Sequence, residues 1–317
     1  MLHTPILFII FNRIDTAQQV FNSIRNAQPL KLYIACDGAR THIEGETEKC
    51  ERTRALIKQI DWPCKVQTNF LNINEGPSKA PYHFIKWFFE HEEQGIILEH
   101  DCLPHPDFFN YCEILLEKYK FNNKIGAISG SNFVPHTDIN SYTFTIYNHI
   151  WGWATWRRVI NHYTLDFSNY PYSEFKKLLN NYFNTQIEKI YWSSIFKQIK
   201  KGEIPTWDYY LTFCLWRHNF YSISPNKNLI SNIGFGKEAI NTINPNSPSA
   251  NMPTSSILPL LFNKLIIENH EEEQKYFKKY ILENKPIIYL YLKIFLKKIG
   301  VFKYIINIKN KIISISL

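Results

Sequence analysis

Glu99-His100-Asp101 is where the chain could do chemistry. It closes a short apolar run, Gly95-Ile96-Ile97-Leu98, and opens the turn Cys102-Leu103-Pro104. Three apolar residues after a glycine fit a strand buried on both faces, as in a parallel sheet. Acids at the C-terminal end of such a strand stand at the rim where open α/β folds bind ligands. A carboxylate there can hold a hard divalent cation, and the cation can hold a diphosphate. The alternative is a strand that simply enters a polar loop.

Two other predicted strands end in polar residues at the same rim, Asn12-Arg13 after Ile6 to Phe11 and Asp37-Gly38 after Leu32 to Cys36. An acid can accept from a ribose hydroxyl or a base, and an arginine can neutralise phosphate. Asn74-Glu75-Gly76-Pro77-Ser78-Lys79 places small residues and a lysine before a predicted helix, where an anion can approach. No Walker A spacing and no GxGxxG occurs, which disfavours a P-loop NTPase and a dinucleotide fold. His149 to Arg158 carries Trp151, Trp153 and Trp156 around Gly152, either a sugar-contacting loop or a structural corner. Trp207-Asp208 begins a helix, so Asp208 is either a cap or a catalytic acid. Asn232-Ile233-Gly234-Phe235-Gly236-Lys237 is either a lid over a diphosphate or a plain turn.

The elements that must position these residues alternate. Strands are expected at 6–11, 32–36, 65–70, 96–99 and 125–129, and helices from Asp15, over 47–60, 79–92 and 106–120. Strand-helix repeats of this length predict an α/β fold with a mostly parallel sheet and right-handed crossovers. Tyr142 to Tyr147 reads as an edge or hairpin strand, Tyr209 to Arg217 as a short helix and Tyr221 to Ser224 as a short strand. Asn241 to Ser256, rich in Asn, Pro and Ser, reads as a linker.

The chain has 317 residues and a net charge of +8, with 8 Trp, 19 Tyr and 23 Phe. Beyond Glu283 it contains no acid and seven lysines, so the body before the tail stands near +1, which is +8 less 7. That balance gives no support for nucleic-acid binding by the body. The tail from Lys285 mixes lysines with Ile, Leu, Tyr and Phe, a pattern for an anionic membrane surface or for a helix packed on the domain. Six cysteines lack CxxC or zinc spacing. There is no basic, apolar leader and no apolar stretch long enough to span a bilayer, which predicts a cytoplasmic protein, peripheral at the membrane.

In this order, the segments FNRIDTA, LYIACDGAR, IILEHDCLPHPDFF, HIWGWATWRR, TWDYY and SNIGFG resemble bacterial glycosyltransferases of the GT-A fold. These belong to the nucleotide-diphospho-sugar transferase superfamily; the likeness spans about Pro5 to Asn241. A more distant likeness is to the N-acetylglucosaminyltransferases of N-glycan cores. The resemblance implies a Rossmann-like, mostly parallel central sheet flanked by helices, with a C-terminal helical appendage. It implies a catalytic domain over 1–255, with a nucleotide-binding half at 1–102 and an acceptor half at 103–241, and a basic tail over 256–317. It implies transfer from a nucleotide sugar, UDP-linked, to a glycan or lipid-linked acceptor, with Asp208 as the base of an inverting reaction and Asp101 as ligand of Mn²⁺ or Mg²⁺. Asn12, Arg13, Asp37, Lys79, Glu99, His100 and Lys237 fall at nucleotide-contacting positions, and Trp151, Trp153 and Trp207 at acceptor- or sugar-contacting ones. Two departures are present. His100 replaces the middle acid of the usual Glu-Asp-Asp, and no histidine follows the GFG loop, where Lys237-Glu238-Ala239 stands instead. Both put the metal in question and leave Lys237 to carry leaving-group charge. The rivals are a nucleotidyltransferase, which would need a glycine-rich basic loop after the first strand, and a non-catalytic sugar-binding relative.

Overall fold

Residues with no face turned to water build the centre of the sheet. In the computed structural model, which describes residues 1–134, 140–236, 244–263, 270–282 and 291, every side chain of β1 (Ile6–Ile10) is buried. Five of the six in β2 (Lys31–Cys36) and four of the six in β4 (Gln94–Glu99) are buried as well. β3 (Lys65–Phe70), more polar, forms the edge. The crossovers are helices α1 (Ile14–Ala27), α2 (Glu46–Arg54, extended by a 3₁₀ turn Ala55–Gln59) and α3 (Gly76–His91). α1 and α2 each return the chain to a parallel neighbour, and α3 carries it from β3 past β2 and β1 to β4, parallel to β1, as buried parallel strands require. α1 buries Val20, Phe21 and Ile24, which recur at helical spacing.

The rest of the described chain comprises β5 (Cys102–Pro104), α4 (Asp107–Lys118), β6 (Ile125–Ser129), β7 (Tyr142–Thr145), β8 (Trp153–Trp156), α5 (Arg157–Ile160), α6 (Tyr172–Tyr182), α7 (Gln186–Lys200), α8 (Asp208–Arg217), β9 (Tyr221–Pro225), β10 (Ile230–Asn232) and α9 (His270–Tyr276). The eight-stranded sheet runs β3-β2-β1-β4-β8-β6-β9-β7. Its first four strands are parallel; β8 runs antiparallel between β4 and β6, and β7 antiparallel on the outer edge of β9. β10 and β5 make a separate antiparallel pair. The fold is α/β with a mostly parallel central sheet flanked by helices, as anticipated.

Two readings of the sequence need correction. Trp153 to Trp156 is no loop but a strand buried on both faces, because Gly152, at φ 60°, turns the chain into the sheet against Ile230. A Cβ there would come within 2.4 Å of Ile230 Cδ1. The described part of Asn241 to Ser256 is tied down rather than free: Asn251 N donates to Asn232 O, Ser255 N to Asn228 O, and Ser256 Oγ to Asp107 Oδ2.

The contacts group the chain into two compact units. One is Met1–Asp166 with Pro205–Glu273, and the other joins Phe167–Ile204 to residues from Gln274 on. The second holds α6 and α7, where Phe175 stacks on Phe196 at 3.9 Å and Phe277 packs with Ile187 and Tyr191. Every candidate site residue that is described lies in the first unit. The basic tail from Lys285, Tyr291 aside, lies outside the described residues.

Gly95 tests the packing that sets β4. A Cβ at this position would fall 2.3 Å from the Phe88 ring and 3.0 Å from Pro5 O. Gly95→Ala should therefore destabilise the protein by about 1–3 kcal/mol, the usual cost of overpacking. Urea denaturation measures this, and an unchanged midpoint would mean that Phe88 yields freely.

Candidate functional site

β1 and β4 are parallel neighbours in register, Ile9 beside Glu99, yet the connections from them pass to opposite sides of the sheet. The crevice at such a switch point is where α/β sheets bind ligands. Asn12-Arg13 and His100-Asp101 leave the two strands there. β10 then brings in the glycine loop, because Asn232 pairs with Cys102 and Ile233 N donates to Asp101 O at 2.9 Å. Gly234 lies so close that a Cβ would come within 2.0 Å of Asp101 Oδ2, and Arg13 Nη1 donates to Gly234 O at 2.8 Å. The backbone of Ile233 and Gly234 thus lies between Asp101 and the Arg13 guanidinium.

Asp208 reaches the same place from α8. Its segment is held from three directions. Ser78 Oγ of α3 donates to Thr206 O at 3.1 Å, Tyr163 Oη donates to Trp207 O at 2.9 Å, and the Trp207 ring stacks on Trp153 at 6.0 Å. Thr206 Oγ1 donates to Asp208 Oδ1. The Glu99 carboxyl is pushed up to about 8, first by burial and then by the charges of Asp101 and Asp208. That coupling puts the three acids in one electrostatic neighbourhood. Burial also raises Asp208, against the Thr206 hydroxyl and the amides at its helix start. Burial and the Arg13 charge lower His100, outweighing Asp101, Asp15 and the Ile9 backbone, so the imidazole is held neutral.

Other expected residues are occupied within the protein. The Asp37 carboxylate accepts from Gly38 N (2.8 Å) and from Glu75 N, Gly76 N and Asn74 Nδ2 (each 2.9 Å). Asn12 Nδ2 donates to Glu46 Oε1 at 2.9 Å, and Glu46, 1% exposed, also takes Arg40. Lys79 is exposed on α3, with no partner shown. Trp151 sits beside the glycine loop, edge-on to Phe235 at 5.7 Å. Trp153 and Trp207, 2% and 4% exposed, are packing residues that leave no open face for a sugar, a correction to their expected role. Lys237 lies outside the described residues. Reading the sequence missed Tyr163 and Glu46; it singled out Asn74 and Ser78 within an anion-approach segment and Thr206 within the TWD run, but not the bonds they make to Asp37, Thr206 and Asp208.

Among the described residues no group of three or more His, Cys, Asp and Glu could hold an ion by itself. Mn²⁺ or Mg²⁺ in phosphate-handling sites needs only one or two carboxylates, taking its remaining ligands from phosphate and water. Asp101, with Glu99 in its field and no cation of the described residues bonded to it, fits that manner of binding.

No protein-family model matches the chain, and no curated protein matches it. Solved structures align weakly. HddC from Yersinia pseudotuberculosis is 9% identical over 50% of this chain and 80% of its own, with a TM-score of 0.30. The 4-diphosphocytidyl-2C-methyl-D-erythritol synthase from Anaerococcus prevotii is 9% identical over 63% and 82%, with a TM-score of 0.32. The inositol-1-phosphate CTP transferase from T. maritima is 10% identical over 51% and 74%, with a TM-score of 0.28. Likeness at this level bears on neither substrate nor reaction.

The Glu99 shift has a sign that can be measured. Without metal, the folded chain keeps a proton on Glu99 between its ordinary 4.5 and about 8, where the unfolded chain has lost it. Stability should therefore fall as pH rises through that window. Asp208, also raised, adds a fall in the same direction. Glu99→Gln should flatten the dependence and be the more stable form at pH 8. Urea denaturation at pH 5 and 8 with a chelator tests this, and parallel profiles for the two proteins would show that Glu99 titrates as an ordinary carboxylate.

Proposed function

We propose that this protein is a glycosyltransferase that moves a sugar from a nucleotide-diphosphate sugar, UDP-linked, to a hydroxyl of a glycan or lipid-linked glycan in bacterial surface polysaccharide synthesis, with inversion. One observation carries the reading: an acid on α8, Asp208, lies in the electrostatic reach of Glu99, the acid that ends β4 beside Asp101. Direct displacement needs a base on the acceptor side of the sugar and charge stabilisation on the diphosphate side. Burial makes Asp208 more basic than an ordinary aspartate, which suits it to take the acceptor proton near neutral pH. Arg13 would exchange the Gly234 carbonyl for a donor phosphate. His100, held neutral, would offer a hydrogen bond to ribose. A divalent cation on Asp101 would supply Lewis-acid stabilisation of the departing diphosphate. Lys79, Trp151 and Lys237 complete the proposed donor and acceptor contacts. After β1 the chain passes through Phe11-Asn12-Arg13 directly into α1, with no glycine-rich loop of the kind nucleotidyl transfer uses.

The products decide the reaction. Released UDP marks sugar transfer, whereas pyrophosphate formed from a nucleoside triphosphate and a sugar phosphate marks nucleotidyl transfer. Asp208→Asn should bind UDP-sugar with Mn²⁺ as the parent does and lose about 100- to 10,000-fold in transfer, the range for a missing general base. A loss below about tenfold would place the base elsewhere.

We also propose that the lysine-rich segment from Lys285 brings the enzyme to an anionic membrane surface where lipid-linked acceptors lie. No helix among the described residues is long and apolar enough to cross a membrane. Removing residues 285–317 should abolish co-sedimentation with phosphatidylglycerol vesicles at low salt, since each lysine near such a surface contributes about 1 kcal/mol. Failure of the full chain to sediment with them would refute the membrane contact.

A further inference from the structure

We propose that Thr206 is the positioning residue that aims the Asp208 carboxylate, with Ser78 anchoring it to α3. This rests on the glycosyltransferase reading, in which Asp208 takes the acceptor proton. A threonine near a helix start ordinarily accepts from a backbone amide two or three residues on. Here the hydroxyl donates to Asp208 Oδ1, and the N-cap residue, Trp207, makes no side-chain cap. The hydroxyl therefore acts on the carboxylate rather than on the helix.

The threonine is itself fixed. Its carbonyl receives Ser78 Oγ at 3.1 Å, and the next carbonyl receives Tyr163 Oη at 2.9 Å. The intervening indole is clamped against Trp153. Anchors from α3, from the segment after α5 and from β8 thus converge on two residues. A surface helix start does not need this, but a side chain that must hold an oxygen within a few tenths of an ångström does. The groups that face Asp208 are Glu99 from β4, Tyr163, whose phenol is buried and neutral, and Thr206. Of these only Thr206 favours the ionised carboxylate, the form a base needs.

The test uses the full chain and whichever of UDP-glucose, UDP-galactose or UDP-N-acetylglucosamine the parent turns over or hydrolyses. Thr206→Val should lower kcat about 10- to 100-fold, the scale of a misplaced reacting group, with KM for the donor within about twofold. Its acidic limb in the kcat profile should move to higher pH, because the bond that favours ionisation is gone. Thr206→Ser, which keeps the hydroxyl, should recover the rate to within about threefold and restore the limb. If the valine form does not fold, Thr206→Ala is read in the same way. Equal loss in the serine and valine forms, or loss without a moved limb, would make Thr206 structural and overturn the inference. If Asp208→Asn also leaves transfer intact, it is the reading of Asp208 as base that fails.

Discussion

One buried carboxylate ties the two halves of the site together. Both oxygens of Asp37 are taken, Oδ1 by the amides of Gly38 and Glu75, and Oδ2 by the Gly76 amide and the Asn74 side chain. The Glu75 and Gly76 amides open α3, where a helix leaves donors without internal partners, so the end of β2 serves as the cap of a helix 38 residues on. Burial raises Asp37, and the amide bonds oppose it. The helix then carries Ser78 to the carbonyl of Thr206, 128 positions further along the chain. The direction of Asp208 thus depends, through α3, on a side chain at the far end of another strand.

The charge pattern at the rim follows from the same economy of cations. Arg13 spends a guanidinium N–H on the Gly234 carbonyl instead of on Asp101, and Arg40 is committed to Glu46. Asp101 and Asp208 consequently raise the cost of ionising Glu99, with no cation of the described residues bonded to it, and the Glu99 shift expresses that cost. Such a cluster is relieved by whatever brings positive charge or a proton. Glycine at 234 matters in this setting because the loop must pass within contact of Asp101, a path any Cβ would block.

Much of this was legible before any coordinates, for a physical reason. Strands buried on both faces must read as apolar runs, so β1, β2 and β4 stand out, and the abrupt change to Asn12-Arg13, Asp37-Gly38 and Glu99-His100-Asp101 marks their rim ends. Periodicity also marks α1 and α4 to within a few residues. What stayed hidden depends on tertiary partners. Tryptophans 153 and 156 look like ligand platforms when their neighbours are unknown, but both are buried in a strand that β4 and β6 flank. The Asn- and Ser-rich stretch up to Ser256 has the composition of a linker, yet its polar groups are met by Asn228, Asn232 and Asp107. The Ser78–Thr206 contact leaves no trace in local pattern, since neither residue is unusual where it stands.

His100 shows how a departure from the family pattern is absorbed. An acid there would add a third negative charge between Glu99 and Asp101. The imidazole adds none, and with burial and Arg13 keeping it neutral it does not cancel one either. Near neutral pH, Glu99 is itself largely protonated in the metal-free chain. A cation arriving with a diphosphate would favour loss of the Glu99 proton as it bound. Binding of such an ion should therefore release the Glu99 proton and tighten as pH rises toward 8.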